Sequence, residues 1–443
     1  MNTIIGMVLV LGVIILVHEW GHFIAARFFG VRVDVFSVGF GPRLFGIKRG
    51  ATDWRVSALP LGGYVRMAGQ DISDIDSGEE APKGLPDELM SKKRWQRAVI
   101  SFAGPAVNLI FPIVLFGGYY AIAGVPYAAF ERKPVVVNEF STAHSKAVNG
   151  LEAGDKVVSL NGTKNPNWEQ ALKIVGATNP GGALSVEVEN GGAARHLDVP
   201  VTNDPRARVF GYMPILPAIG EVAAGTPASH AGLQAGDVIR SVDGQKIEYW
   251  DQFVDQVRGS GGKTLQVEVS RKGQAVNLTI TPKQGLSEST DKNYQIGVAP
   301  HVDFVHDRVG PVGAVQAATT NTAEYVAGTF AILGKLLTGR LSVKQLQSVV
   351  GISRSAGQAV AEGAETVISF MVLISVNLGI LNLLPIPILD GGHILLLSME
   401  GLRRRDFSLA FKERFIQVGL VFLLVILAYA MYNDVVRLLP SHS

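Results

Sequence analysis

Apolar side chains collect at the two ends of this chain, in runs long enough to cross a bilayer, while the middle alternates in the manner of a water-soluble protein. The runs over about 4–26, 98–124, 367–400 and 415–436 predict four spanning helices, since a span needs roughly 20 apolar residues. A further run from Val312 to Leu337 is interrupted by Gln316, several threonines, Asn321, Glu324 and Lys335, and reads as an amphipathic helix lying at the membrane surface. Period-two alternation between the second and third spans marks short strands, Leu184 to Val188 and Leu265 to Val269 among them.

That middle region repeats itself. Leu151-Glu152-Ala153-Gly154-Asp155, ending at Asn161-Gly162, matches Leu233-Gln234-Ala235-Gly236-Asp237, ending at Asp243-Gly244, and Trp168 and Trp250 keep the same offset. The pattern predicts two copies of one small domain. Asp53 to Met67 reads as a hairpin, with Trp54, Val56 and Ala58 alternating before Leu59-Pro60-Leu61-Gly62-Gly63-Tyr64.

Charge gives the runs a direction. Arg27, Arg32, Arg43, Lys48 and Arg49 follow the first run, Lys92, Lys93, Arg94 and Arg97 precede the second, and Arg403, Arg404, Arg405, Lys412 and Arg414 separate the last two. The positive-inside rule makes those loops cytoplasmic and puts both termini and the region from about 125 to 366 outside. Asp71 to Glu88, with seven acidic residues and one lysine, reads as a solvated linker. The 443 residues are 47% hydrophobic and 18% charged, which suits a membrane protein with a soluble part. No cysteine is present, so any metal site is built from histidine and carboxylate. Basic residues cluster at span boundaries and form no stripe, which excludes a nucleic-acid footprint.

The chemistry lies in the first run. His18-Glu19-Trp20-Gly21-His22 follows fourteen residues, Ile4 to Val17, without a charged side chain. On a helix the two imidazoles lie one turn apart on one face, where they can share a zinc ion, with Glu19 beside it to take a proton from the attacking water. At about 1.5 Å per residue His18 lies roughly 21 Å along the helix, about two-thirds of the way through a core of about 30 Å. Ionisable groups at that depth point to function. A signal peptide would discard the motif, and Met1-Asn2-Thr3 supplies no basic leader.

A third ligand is needed. Asp390 is the preferred candidate, because an apolar run broken by Pro385 and Pro387 leads straight to it; His393 is a possible substitute. His301 and His306 read as surface or packing residues.

HEWGH in the first span, with Asn382-Leu383-Leu384-Pro385-Ile386-Pro387-Ile388-Leu389-Asp390-Gly391-Gly392 in the third, resembles the motif pair of site-2 proteases, zinc-dependent intramembrane metalloproteases. Gly232 through Gly244 resembles PDZ domains of bacterial envelope proteases. Together with Gly104-Pro105-Ala106-Val107-Asn108 and the four-span layout, the likeness is to the bacterial RseP branch of the family.

The resemblance implies that His18, His22 and Asp390 hold one zinc ion, that Glu19 is the general base, and that Asn382 positions the substrate backbone, with Pro385 and Pro387 keeping the third span open. It also implies that the loop bearing Gly62, Gly63 and Tyr64 re-enters the membrane and offers a strand edge to the unwound substrate. The expected architecture is an α-helical polytopic membrane protein, four transmembrane helices with a membrane-associated β-hairpin loop, plus two periplasmic α+β PDZ domains. Residues 1–124 and 367–443 would form the protease core (with the cytoplasmic loop and linker at 27–97), 125–220 and 221–308 the PDZ domains, and 309–366 a periplasmic helical segment. Expected partners are the lipid bilayer and single-span membrane proteins in the bacterial inner membrane, such as anti-sigma factors or signal-peptide remnants, with peptide termini at the PDZ domains. The competing reading is a non-catalytic PDZ receptor with a structural metal site, which would have no use for Glu19.

Overall fold

The computed structural model describes residues 2–69, 84–139, 150–201, 208–223, 225–284, 293–339 and 349–438, so most of the acidic linker expected at Asp71 to Glu88 lies outside the described residues. The chain divides into two compact units, Met1–Val125 with Arg308–Ser443, and Pro126–Asp307.

The first unit opens with α1 (Asn2–Phe28), 27 residues and about 40 Å long. Gly30 ends it: at φ +67° it lets the Val31 N–H donate to Ala26 O (2.8 Å) and its own N–H to Arg27 O (3.0 Å), closing the last turn. β1 (Val33–Arg49) and β2 (Thr52–Met67) follow, turning at Gly50. The hairpin is larger than the sequence suggested, because Gly39 and Gly41, both at positive φ, bend β1 so that its two halves act as separate strands. Ser37 lies between Tyr64 and Arg55, and Val38 between Gly63 and Val56, while Phe45 to Arg49 pairs back on Thr52 to Val56. Val33, Phe36, Val65 and Met67 are buried with Ala26 of α1 and Ile100 of α2 (Arg94–Ala123); Leu44, Phe45 and Ile47 on the far half are exposed.

In the second unit, β3 (Val125–Ala128) precedes the first repeat, β4 (Lys156–Leu160), β5 (Thr163–Lys164), α3 (Trp168–Ala177), β6 (Ala183–Asn190) and β7 (Ala193–Pro200). The other repeat comprises β8 (Ile219–Val222), α4 (Pro227–His230), β9 (Val238–Val242), β10 (Gln245–Lys246), α5 (Trp250–Gly259), β11 (Leu265–Arg271) and β12 (Gln274–Ile280), and then β13 (Lys283–Gln284), β14 (Tyr294–Gln295), β15 (Val298–Pro300) and β16 (Phe304–Asp307). Strand orders β5-β4-β6-β7 and β10-β9-β11-β12 are equivalent, and β15 adds beside β8. Trp168 and Trp250 each open the helix of their repeat and are buried in its core.

The two repeats solve one electrostatic problem in two ways. Asp155 and Asp237 are both wholly buried and accept from the main-chain N–H groups of Glu152 and Gln234. Asp155 is paired by Arg195 from β7, Asp237 by Arg271 from the end of β11. Burial alone would raise the Asp237 carboxyl, but the Arg271 hydrogen bonds and the Gln234 N–H outweigh it and hold the group below the ordinary carboxylate range.

The first unit closes with α6 (Pro311–Leu337), α7 (Val349–Glu362), α8 (Ala364–Asn382), α9 (Asp390–Arg403) and α10 (Leu409–Leu438). Among the described residues, four helices are long and apolar enough to cross a membrane: Gly6–Phe28, Arg94–Ala123, Ala364–Leu383 and Ala410–Tyr432. The third is shorter than the expected 367–400. Pro385 and Pro387 lack N–H donors, Ile388 takes φ +80°, and the chain restarts as α9 at Asp390. Val312 to Leu337, expected as an amphipathic helix at the membrane surface, falls in α6, which packs on α2 and α8 with Ala314, Ala318, Thr322 and Thr329 buried, while Gln316, Glu324 and Lys335 are exposed. Two of its polar residues are interhelical partners: Asn321 Nδ2 donates to Tyr120 Oη (2.7 Å) and Thr329 Oγ1 to Asn377 Oδ1 (2.8 Å).

Candidate functional site

One face of α1 carries His18 and His22 a turn apart, and the helix break after α8 delivers Asp390 to them at the first residue of α9. His18 Nε2 and His22 Nε2 are 3.2 Å apart; Asp390 Oδ2 lies 3.3 Å from the first and Oδ1 3.4 Å from the second. Ligands at about 2.0–2.1 Å from a tetrahedral zinc ion stand roughly 3.3 Å from one another, a spacing that the two imidazole nitrogens have with each other and that each has with one oxygen of the Asp390 carboxylate. Among the described residues this is the group that could hold a metal ion; its third member is Asp390, and His393 is not among the clustered donors.

The proton inventory fits the same group. His22 Nδ1 lies 2.8 Å from the Ile100 carbonyl, which only accepts, so Nδ1 carries the hydrogen and the Nε2 lone pair is free. His18 Nδ1 lies 3.2 Å from Asn108 Nδ2, while Asn108 Oδ1 is buried with no partner. Amide oxygen and nitrogen are interchangeable assignments. Turning the Asn108 amide over gives Oδ1 a hydrogen from His18 Nδ1 and frees the second Nε2 lone pair as well.

Close helix packing sets the histidines. Gly104 of α2 stands flush against the His22 ring, which a Cβ at that position would overlap, and a Cβ at Gly21 would sit 2.5 Å from Ala103 O. The Ser375 hydroxyl on α8 donates to Asn108 O (2.8 Å), tying the partner of His18 to a third helix.

Glu19, half-buried on the next position of α1, faces β2: the Val65 N–H lies within hydrogen-bonding reach of its carboxylate, and the Cβ position of Gly63 is 3.1 Å from its Cγ. A cavity of about 580 Å³ joins these groups and runs on past Tyr64, Asn382 and His393. Asn382 Nδ2 is 3.3 Å from His18 Nε2. Among the described residues no strand pairs with the outer side of Gly63 to Met67, which leaves a main-chain edge beside Glu19. Pro385 and Pro387 do not line the cavity; they make the break that presents Asp390, and Gly62 packs on Phe40. Asn108, Gly104 and the Ile100 carbonyl carry roles that the sequence reading did not assign, although Gly104 to Asn108 stood out as a motif. His301 is exposed and pairs with Asp303.

A model of peptidase family M50 matches residues 6–426. A regulator of sigma-E protease, RseP, from Salmonella typhimurium (strain 14028s) is 34% identical over 452 residues, covering 97% of this chain and 98% of its own length. A putative zinc metalloprotease of Neisseria meningitidis serogroup A is 31% identical over 457 residues, 99% of this chain and 100% of its own. Among solved structures, the PDZ domain of an SdrC-like protein from Listeria monocytogenes aligns with 20% of this chain and 87% of its own, at 19% identity and a TM-score of 0.18. With that match running from the first helix into the last, the chain belongs to peptidase family M50, the site-2 proteases, and is a membrane metalloprotease.

Proposed function

We propose that this protease cuts the spanning segments of single-span membrane proteins, with His18, His22 and Asp390 holding one zinc ion and Glu19 as general base. The carrying observation is that His18 Nε2 and His22 Nε2, 3.2 Å apart, lie 3.3 and 3.4 Å from the two oxygens of the Asp390 carboxylate, with Glu19 beside them in one cavity. When bound, the ion supplies Lewis acidity to the scissile carbonyl and the attacking water. Glu19 takes the proton of that water and returns it to the leaving amine nitrogen. A purely structural metal site would need no such base, which disfavours the receptor reading.

A spanning helix hides its peptide groups in i to i−4 bonds, so it must unwind before it can be cut. The outer edge of Gly63 to Met67 would replace those bonds, with Tyr64 and the Asn382 amide flanking the extended segment. The break at Pro385 and Pro387 leaves irregular backbone, which membrane depth tolerates where it lines a cavity.

The basic clusters support a bacterial inner-membrane topology with both termini and the repeats on the periplasmic side. In this layout 1–124 and 367–443 are the protease core, 125–220 and 221–308 two PDZ-like domains, and 309–366 a helical segment on the core. The substrates would be anti-sigma factors or signal-peptide remnants; one relative is named as a regulator of sigma-E protease. The repeats would then capture trimmed peptide termini or exclude uncut chains.

The test uses the purified full-length chain with a panel of tagged single-span substrates lacking their outer domains. Cutting within the span that stops on chelation and returns with zinc supports the proposal. A chain that holds zinc and cuts none of the panel favours the receptor.

A further inference from the structure

The catalytic cavity does not end at the metal triad. It continues toward the N-terminal end of α2, where its lining changes from apolar to charged with Arg66, Arg97, Glu400 and Lys412. Two of these four pair with each other: Lys412 Nζ lies 3.3 Å from Glu400 Oε1, which also accepts from the Phe407 N–H at 3.0 Å, while Glu400 Oε2 is buried with no hydrogen-bond partner. Arg66, on β2, has a partner elsewhere in the protein. Arg97 is only 7% exposed, its Nη1 faces the weakly accepting Met90 Sδ at 3.3 Å, and its Nε, like that of Arg66, is buried with no acceptor. Among the described residues no carboxylate lies within ion-pair distance of it. Asp406 is engaged by Arg94 at 3.0 and 2.7 Å, and Glu400 by Lys412.

Asp406 feels the Arg97 charge without touching it. A buried guanidinium with no carboxylate in contact is costly, and its planar fork of donors matches a carboxylate in two-pronged fashion. Its position relative to the chemistry follows from α2. Arg97 stands one turn, about 4.5 Å of helix rise, before Ile100, whose carbonyl accepts from His22. An extended chain advances about 3.3 Å per residue, and the free edge of β2 runs from Val65 beside Glu19 to Arg66 and Met67 at the same end of the cavity. Resting on the proposed protease reading, we propose that Arg97 is a specificity-determining residue that receives an Asp or Glu side chain of the substrate two to four residues from the scissile bond, on the side toward the N-terminus of α2. The Arg97 charge disfavours a lysine at that position, and a neutral residue there forgoes the ion pair.

The experiment compares substrates that differ only in carrying Asp, Asn or Lys at each of those positions, cut by full-length wild type, Arg97→Gln and Arg97→Lys, with kcat/KM and zinc content recorded for each. A charge-assisted pair lost from the transition state predicts, at one position, a preference for Asp over Asn of at least about tenfold in wild type. The preference falls to about unity in Arg97→Gln and persists in Arg97→Lys. Equal cutting of Asp and Asn substrates by wild type at every position overturns the proposal and leaves the protease reading standing. A preference unchanged in zinc-loaded Arg97→Gln also overturns it. If Arg97→Gln does not fold, the wild-type series with Arg97→Lys decides the matter. Failure of wild type to cut any of these substrates overturns the protease reading and this inference with it.

Discussion

Asn108 on α2 and His18 on α1 meet through Nδ2 and Nδ1 at 3.2 Å while the Asn108 amide oxygen beside them is buried and unbonded. With the amide turned over, Asn108 fixes the His18 tautomer with its Nε2 lone pair toward Asp390. Replacing it with alanine removes that acceptor and leaves the ring free to rotate. Asn108→Ala should weaken zinc binding by about 10–100-fold without removing a ligand, as measured by competition with a calibrated chelator.

Gly104 tests the packing behind the other histidine. Any Cβ there overlaps the His22 ring, so Gly104→Ala should displace His22 and abolish both bound zinc and cleavage. Metal analysis of the purified variant is the check. Retention of stoichiometric zinc would mean that α1 and α2 can separate without cost.

Both residues show where sequence reading stops. His18, Glu19 and His22 are legible because a helix converts spacing of four into one face, and Asp390 because it is an isolated carboxylate after an apolar run. Asn108 and Gly104 lie on another helix, and their value depends on how closely α2 approaches α1, which no local pattern encodes. The four spans and the repeat were legible for the same reason as the motif, since they are periodic. The interhelical bonds of α6 were not legible, because Asn321 and Thr329 look solvent-facing until Tyr120 and Asn377 are seen to receive them. The bend of β1 rests on Gly39 and Gly41, which by themselves mark a turn as readily as a bent strand.

The choice of third ligand separates two carboxy-terminal candidates that both line the cavity. Asp390→Ala should strip the zinc and end cleavage, whereas His393→Ala should keep zinc near wild-type stoichiometry, because His393 is not among the three clustered donors. Zinc loss in both would add His393 to the site.

Acid stability follows from the second repeat. The folded Asp237 carboxyl titrates below its unfolded value of about 3.9, so its stabilisation is complete above that pH and is lost as pH falls through the lower folded value. Arg271→Gln removes the pairing and leaves a buried carboxylate, at a cost of about 3 kcal/mol to that repeat. Thermal unfolding from pH 7 to pH 2.5 should show a lower transition for Arg271→Gln at neutral pH, with the gap to wild type closing below about pH 4. A gap independent of pH would contradict the assignment.

The central claim is that Glu19 acts chemically beside a metal it does not hold. Glu19→Gln preserves His18, His22, Asp390 and the shape of the side chain. Cleavage of a trimmed single-span substrate should fall by at least about 100-fold while bound zinc stays at the wild-type level. Cutting by Glu19→Gln at the wild-type rate with zinc in place would contradict the account.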